Sequence, residues 1–280
     1  MDTITRKELM GPKGRLLSNA ARLWLMDADN VAYVNRPMKL FGSSVKVEKG
    51  SDKRDTYIMY LQPAGKVSKA TLCIGAEAAG CEAPCLISSG QLGMSTGQRA
   101  ATKRTILMVL RPQWFEAQLL KEIDAAERKA LKGGVPALFR LNGTSDCDFS
   151  HIMAQRPLSA FYDYTKVLGR IRRNTLPNYH LTFSGSMYST QSKAAMFKAV
   201  QRGYNMAVAY NTKGLKDDVL GLPDLTSFDT SDLRPLDSKG AIGYLKRKGS
   251  NKAQRAAEGY KSFFVTAQNV QEFNNIIAVG

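Results

Sequence analysis

The feature that most constrains the fold is an alternation, from residue 56 onwards, of short apolar runs with segments of helical periodicity. The runs are rich in β-branched and aromatic residues, which predicts strands at 56–63, 135–143, 161–167, 179–185, 205–211 and 240–246. Strands separated by helices or crossover loops at this spacing indicate parallel βαβ units. We therefore predict an α/β fold, with a complete or partial (β/α) barrel of parallel strands as the first choice and an open doubly wound sheet as the second.

Three helices are predicted between these strands. One starts at Ser95 or Thr96 and runs towards Leu110. The next has Pro112 in its first turn and stops at Gly133. The third precedes the run at 205–211, and its apolar stripe consists of Ala194, Phe197 and Val200.

The two ends of the chain lack this regular pattern. Residues 1–55 are basic and mixed, with an amphipathic segment at 19–26 and a strand-like stretch at 43–50. We expect an irregular basic N-terminal extension over 1–55, a barrel-like domain over 56–250 and a C-terminal tail over 251–280 that packs on the barrel.

Polar side chains gather directly after the apolar runs. In α/β folds the carboxyl ends of the strands form the functional face, so these positions are candidates for a site. Asp146 and Asp163 could act there as nucleophile and general base or hold a divalent metal, unless each carboxylate only caps a turn. Arg234 lies between Asp232 and Asp237, where a buried ion-pair network is the alternative to substrate binding. The substrate-binding candidates are Asn142, Ser184, Ser186 and Arg234.

Three of the four cysteines fall in one short loop after the first predicted strand. They are Cys73, Cys81 and Cys85, and Cys147 follows the next strand. Consecutive strands of a parallel sheet are usually neighbours, so all four thiols could meet at one edge. Four thiolates suit a zinc ion or an iron–sulfur cluster, and three with an open position suit a reactive cluster. Small buried thiols and a disulfide are the alternatives.

The spacing of these cysteines, C-x7-C-x3-C, is not one of the common metal-binding patterns. It lacks the close C-x2-C pairs of zinc ribbons and the C-x3-C-x2-C usual in radical S-adenosylmethionine enzymes. Its place after the first strand of a barrel is nevertheless where the latter enzymes hold their cluster. S-adenosylmethionine is therefore a conceivable additional cofactor.

The chain is strongly basic, with a net charge of +16 and a pI near 9.7. Such a surface attracts polyanions because each phosphate that is neutralised releases counterions, although charge also serves general solubility. The positive charge is clustered, which favours contact with nucleic acid. The nucleic-acid-binding candidates are Lys166, Arg170, Arg172 and Arg173 in one cluster and Lys246, Arg247 and Lys248 in a second cluster that continues to Lys252 and Arg255.

The sequence lacks several signatures of membrane, secreted and nucleotide-binding proteins. No apolar run approaches the roughly 18–20 residues needed to cross a bilayer, and the N-terminus lacks the apolar block of a signal peptide. We expect a cytoplasmic protein without a membrane partner, in which cysteines stay reduced and a cysteine cluster is more often a metal site. No Walker A loop, Rossmann fingerprint or G-x-S-x-G elbow occurs in the sequence.

Five stretches carry a family resemblance: "CIGAEAAGCEAPCL", "FRLNGTSD", "FYDYTK", "YHLTFSGS" and "DLRPLDSKGAIGYLKRKG". With these stretches in this order, the chain resembles the gene-88 protein family of mycobacteriophages and other phages over roughly residues 56–250. The resemblance implies a phage-encoded or prophage-encoded protein in the host cytoplasm. It also implies that the family's cysteine group corresponds to Cys73, Cys81 and Cys85. It implies no particular reaction.

Two classes of function remain open at this stage. The favoured one is a metal- or iron–sulfur-containing enzyme that acts on nucleic acid or a nucleotide, which rests on the cysteines, the polar strand ends and the basic surface. A radical S-adenosylmethionine-like reaction and base modification are both conceivable within it. The alternative is a non-catalytic nucleic-acid-binding protein in which a metal only stabilises the fold.

Overall fold

The computed structural model describes residues 2–42, 55–211, 225–231, 233–248 and 261–278. Eight strands occur within these residues, and they form one sheet in the order β1-β2-β3-β4-β5-β6-β8-β7. Their bounds are Phe41–Gly42 (β1), Thr56–Met59 (β2), Leu138–Arg140 (β3), Ala160–Thr165 (β4), Tyr179–Ser184 (β5), Met206–Tyr210 (β6), Leu225–Ser227 (β7) and Ile242–Lys246 (β8).

The described helices lie before, between and after these strands. None of them is long and apolar enough to cross a lipid bilayer. They are Arg6–Met10 (α1), Asn19–Trp24 (α2), Ala28–Asn35 (α3), Ala76–Ala79 (α4), Gly90–Gly93 (α5), Ser95–Leu110 (α6), Pro112–Gly133 (α7), Ser150–Ala154 (α8), Leu168–Arg173 (α9), Thr190–Gln201 (α10) and Val270–Ala278 (α11), with short 3₁₀ helices at Lys13–Leu16, Leu86–Ser88 and Arg234–Leu236.

The sheet is mostly parallel and follows the order of the chain. Each neighbouring pair from β2 to β6 is parallel, β6 pairs in parallel with β8, and only β1 is antiparallel to its neighbour. This sequential order lacks the reversal that defines a doubly wound sheet. Within the described residues β1 and β7 are the two edges, so the sheet is not closed and a complete barrel is not confirmed.

The predicted elements correspond to observed ones. The six predicted strands overlap β2, β3, β4, β5, β6 and β8, and the three predicted helices correspond to α6, α7 and α10. In α10 the buried apolar side chains are those of Met196 and Ala199, whereas Ala194 of the predicted stripe is exposed. Gly185 makes room for the Met196 side chain on this inward face. A Cβ at Gly185 would lie 2.8 Å from the sulfur of Met196. The predicted strand at 43–50 lies outside the described residues.

The N-terminal segment is helical rather than irregular, which corrects the expectation for residues 2–42. Thr5, Ser18 and Asp27 cap α1, α2 and α3 with their side-chain oxygens. Leu25 and Val34 are buried in the same core as side chains of β2 to β4, α6 and α7, which we call the main core. The boundary proposed at residue 55 therefore divides a continuous core, and as a domain boundary it stays a prediction.

The two faces of the sheet have different partners because side chains alternate along each strand. Phe139 and Phe161 point into the main core, with their ring centroids 5.4 Å apart. Leu138 and Tyr162 point to the opposite face, where Leu233 packs against them. The part of the chain around Leu233 therefore covers the lower half of this second face and leaves its upper half, at the carboxyl ends of the strands, to a cavity.

The segment that packs on the lower half of the second sheet face predicts that no side chain larger than glycine fits at Gly243 in β8. A Cβ there would lie 2.2 Å from ring atoms of Phe228, which is itself 1% exposed. We expect Gly243→Ala to lower the free energy of unfolding by about 1–3 kcal/mol, the usual effect of overpacking, in urea titrations followed by circular dichroism.

Gly133→Ala is the matched control, because nothing lies within 4 Å of a Cβ at that position. Since Gly133 ends α7 in helical conformation, alanine should be neutral or stabilising there by up to about 1 kcal/mol. Equal effects of the two substitutions would contradict the close packing of Phe228 on β8.

Candidate functional site

A cavity of about 480 Å³ opens at the carboxyl ends of the parallel strands. Its floor is formed by strand residues, among them Ile58, Arg140, Tyr164 and Ala207. Its walls come from the loops that follow the strands. A volume of this size at this end of an α/β sheet is typical of a site for a small molecule or part of a larger one.

One wall of the cavity is the cysteine loop, which extends from β2 to α6. Cys73, Cys81 and Cys85 all line the cavity. Cys147 is not among the described lining residues; it packs against the main core, and its Sγ lies 3.8 Å from the carbonyl oxygen of Leu72. All four thiols are free. The structure therefore brings three predicted ligands to one wall and places the fourth behind it.

The shape of this loop is set by two glycines and two serines. Gly75 and Gly80 have φ of 87° and 62°, in the left-handed region, and flank the short helix α4. The hydroxyls of Ser186 and Ser189 donate hydrogen bonds of 2.7 Å and 2.6 Å to the last carbonyls of α4. Ser186, a substrate-binding candidate, is 2% exposed. Its hydrogen bond attaches the cysteine loop to the end of β5.

The thiols are protonated at neutral pH as the protein stands. Burial raises the pKa of Cys73 to about 12 and that of Cys147 to about 11, and it also raises the pKa values of Cys81 and Cys85. The charges of the other three cysteines would raise the pKa of Cys73 further. In the described part of the chain, no three His, Cys, Asp or Glu side chains converge as a single metal ion would require.

Lys166 lies beside these thiols. Its Nζ donates to the Oγ of Ser184 at 2.9 Å and lies 4.5 Å from the centre of the Phe263 ring. Burial lowers the pKa of Lys166, against the opposing effect of nearby Cys81. Phe263 reaches the cavity because Val265 hydrogen-bonds to the backbone of β6. The structure thus places Lys166 and Ser184 together inside the cavity rather than on the basic surface.

Asp146 lies next to Lys166 and forms a buried ion pair with Arg170. The two side chains are 7% and 10% exposed, and the carboxylate also accepts hydrogen bonds from the Oγ1 of Thr165 at 2.9 Å and the backbone N–H of Lys166 at 3.1 Å. The guanidinium of Arg170 also donates to the hydroxyl of Tyr179. Arg170, a candidate for nucleic-acid binding, is therefore engaged inside the protein, and Asp146 positions the backbone that carries Lys166.

Asp163 lies on the opposite face of β4 from the cavity and is 0% exposed. Its carboxylate accepts hydrogen bonds from the backbone N–H and side-chain amide of Asn142 at 2.8 Å and 3.0 Å. The amide oxygen of Asn142 accepts in turn from Ser145 and Cys147. These contacts organise the loop after β3, and the catalytic and substrate-binding roles predicted for the two residues stay predictions.

The remaining candidates divide between the cavity mouth and other surfaces. Arg172 and Arg173 are exposed on α9. Arg234 lies below the cavity, 3.5 Å over the ring of Phe228. It also lies 3.3 Å from Asp237, and the two form the ion pair that was the alternative to substrate binding for the segment 232–237. Asp232 of that segment lies outside the described residues, as do Lys252 and Arg255. The residues that line the mouth are Lys246, Arg247 and Lys248.

Sequence reasoning missed Arg140, Tyr60 and Phe263, all of which line the cavity. Alternation along β3 was the available signal for Arg140, because a charged side chain inside a buried strand must face something other than an apolar core. Phe263 had no such signal, since its position depends on the pairing of a distant segment with β6.

Comparison with known proteins identifies a family that the chain matches. A sequence model of the family described as Gene product 88 matches residues 35–261, about four fifths of the chain. The matched region begins at the end of α3 and includes the whole cavity floor and the cysteine loop. No curated protein and no solved structure matches the chain.

The buried pair between Asp146 and Arg170 predicts a large effect of a nearly isosteric substitution. Asp146→Asn leaves the guanidinium buried without its counter-charge, so we expect the free energy of unfolding to fall by about 3 kcal/mol in urea titrations. Lys129→Met removes an ion pair to Asp55 whose side chains are 69% and 43% exposed, and it should change stability by less than about 1 kcal/mol. Similar losses for both variants would show that the buried pair does not organise the site.

Proposed function

The chain belongs to the Gene product 88 family, and the resemblance to the phage gene-88 proteins is thereby confirmed. From the geometry of its site we propose that it is a phage-encoded enzyme of the host cytoplasm, in which a cysteine-ligated metal centre acts on a nucleotide or a nucleic acid. The observation that carries this proposal is the cavity wall with Cys73, Cys81 and Cys85, which faces a buried lysine and opens onto a basic mouth.

We propose Cys73, Cys81 and Cys85 as the ligands, with Cys147 outside the set. Three thiolates on a cavity wall leave a position open towards the cavity, as a reactive centre requires and a structural zinc site does not. A cluster spreads its ligands over several iron atoms, so it needs less convergence than one ion. We therefore propose an iron–sulfur cluster ahead of zinc.

The sheet supports this use of the cavity. Its parallel strands follow chain order, and we propose that it works as a partial barrel in which strand side chains form the floor and loops carry the reactive groups. A cluster, when bound, would supply electron transfer and an iron atom open to a ligand. The chain itself contributes Lys166, whose lowered pKa makes its amine a candidate to hold or release a proton next to the bound molecule.

The mouth of the cavity supports a nucleotide or nucleic acid as the molecule acted upon. Lys246, Arg247 and Lys248 are consecutive residues at the end of β8, and all three line the opening. Lys246 and Lys248 are exposed, while Lys248 also lies 3.9 Å from Asp229. A row of cations at the entrance of a partly apolar cavity suits a nucleotide or nucleic acid of which one part enters the cavity while phosphates of the rest stay outside.

The proposed centre predicts the metal content of the purified protein. Protein prepared without oxygen should contain several irons and sulfide per chain and show the visible absorption of an iron–sulfur centre. Replacement of all three wall cysteines by serine should abolish both signals, because serine hydroxyls do not replace cluster thiolates. Cys147→Ser is the matched control and should keep the metal content of the wild type.

Two outcomes would contradict the proposed centre. Wild-type protein without metal, and with unchanged stability in the three-serine variant, would exclude it. One zinc per chain that is lost equally in Cys147→Ser would indicate a closed four-cysteine site and favour the alternative, a non-catalytic nucleic-acid-binding protein. If the iron signal is present, a change in its electron paramagnetic resonance spectrum on adding S-adenosylmethionine would identify that compound as a cofactor.

The basic mouth predicts salt-dependent binding of single-stranded oligonucleotides. Charge reversal at Lys246, Arg247 and Lys248 should weaken binding in fluorescence anisotropy and reduce the slope of log K against log salt by roughly 0.7 for each phosphate that is no longer neutralised. Reversal of Lys121, Arg128 and Lys132, which are exposed on α7, gives the same net charge away from the cavity and should change binding much less. Equal reductions in affinity for both variants would mean that only overall charge matters.

A further inference from the structure

The floor of the cavity contains a cation that the proposed chemistry does not use. Arg140, the last residue of β3, lines the cavity, and its Nε is buried without a hydrogen-bond partner. Among the described residues its guanidinium makes neither an ion pair nor a hydrogen bond, and it contacts aromatic rings instead. Arg170, by contrast, is held by Asp146 and Tyr179.

The buried Nε of Arg140 is unfavourable without an acceptor, because an unsatisfied buried donor of a charged group costs about 1–3 kcal/mol or more. The side chain as a whole is only partly buried, so its other donors stay accessible from the cavity that it lines. The nearest carboxylate on the other side of the sheet, that of Asp163, is already occupied by Asn142 and Tyr179. The cavity is the side from which a further acceptor can reach Arg140.

The aromatic contacts of Arg140 leave the N–H donors of its guanidinium available to a ligand. Its central carbon lies 4.8 Å from the ring centre of Tyr164 and 6.0 Å from that of Tyr162. A guanidinium that contacts aromatic rings keeps its N–H donors directed outward in its own plane. This in-plane fork matches the two oxygens of a carboxylate or a phosphate.

The charge of the lining agrees with an anionic occupant. Asp146 is the one carboxylate among the described lining residues, and Arg170 neutralises it. The cations of the lining are Arg140, Lys166, Lys246, Arg247 and Lys248. The floor and the mouth therefore form two separate positive positions, with the apolar and cysteine-bearing walls between them.

We infer that Arg140 is an anion-binding residue at the floor of the cavity, which receives a phosphate or carboxylate group of the bound molecule. The inference rests on the proposed function only in taking the cavity as the ligand site; it needs no metal. A ligand that bears its anionic group on the part that enters the cavity would be oriented between Arg140 and the mouth. A ligand whose only charge stays at the mouth would leave Arg140 unsatisfied.

The test is a titration calorimetry series with four small probes: inorganic phosphate, acetate, adenosine monophosphate and adenosine. Wild-type protein should bind adenosine monophosphate more tightly than adenosine, or acetate more tightly than phosphate if the group is a carboxylate. Arg140→Met should weaken binding of the preferred anion by about 10- to 100-fold, the effect of one charge-assisted hydrogen-bonded contact. The anion affinity of Arg140→Lys should lie between those of the wild type and Arg140→Met, because lysine keeps the charge but lacks the paired N–H donors of the guanidinium.

Arg128→Met is the matched control, since it removes the same charge from the exposed surface of α7 and should bind like the wild type. Circular dichroism and thermal unfolding establish that each variant is folded. If Arg140→Met does not fold, the anion affinity of Arg140→Lys tests the inference instead. A second measurement is the rate at which phenylglyoxal modifies Arg140 in the wild type. Protection of Arg140 by the preferred anion supports the inference.

Two results would overturn the inference: anion affinity that is the same in Arg140→Met and the wild type, or wild-type protein that binds none of the four probes. The three-serine variant of the cysteine wall separates this outcome from a failure of the proposed metal centre. Anion binding that persists in that variant and depends on Arg140 supports the floor site whether or not iron is found. Iron without any dependence on Arg140 leaves the metal centre and removes the floor site.

Discussion

One buried carboxylate holds the ends of three neighbouring strands in the arrangement on which the cavity depends. Asp163 of β4 accepts hydrogen bonds from Asn142, which follows β3, and from the hydroxyl of Tyr179, which begins β5. Burial raises the pKa of Asp163 to about 6, although Arg140 and the bonds from Asn142 lower it. Because this value exceeds the ordinary 3.8, the stability linked to this group is present at low pH and declines as pH rises from about 4 to 6. At neutral pH the ionised group is thus retained for geometry rather than for stability.

The geometry fixed in this way reaches the cavity through the loops. Asn142 orders the turn that contains Asp146, and Asp146 in turn fixes the backbone of Lys166. The end of β5 holds the cysteine loop through Ser186. Several polar residues that look catalytic in the sequence therefore form the support of the site, while the groups that face the cavity are the thiols, Lys166 and Arg140.

The sequence could predict the strands and the edge at which the site lies, because both depend on local patterns. Alternation and turn residues identify β4 and β5 to within about two residues, and parallel strands carry their polar ends to one edge. Cys73, Cys81 and Cys85 are predicted at that edge and lie there. The amphipathic segment at 19–26 corresponds to α2, whereas α1 and α3 were not predicted, since α3 is stabilised by burial of Val34 in a distant core rather than by its own periodicity. Pairings of distant segments, such as Val265 with β6, leave no local pattern at all.

The same distinction explains why neither the place of Cys147 behind the cavity wall nor that of Arg140 in the cavity floor follows from the sequence. A cysteine after a strand looks equivalent to the cysteines of the neighbouring loop, yet one turn of chain is enough to place Cys147 against the main core, where burial keeps its thiol neutral. An arginine inside a strand looks like a residue of an exposed edge, yet β3 has neighbours on both sides, so its side chain can only enter a core or a cavity. A charged residue in a central parallel strand is therefore stronger evidence for a ligand than a polar residue at the strand's end. Strand ends meet polar turns in every α/β fold, whereas a cation in a central strand needs acceptors for the donors that lose their water.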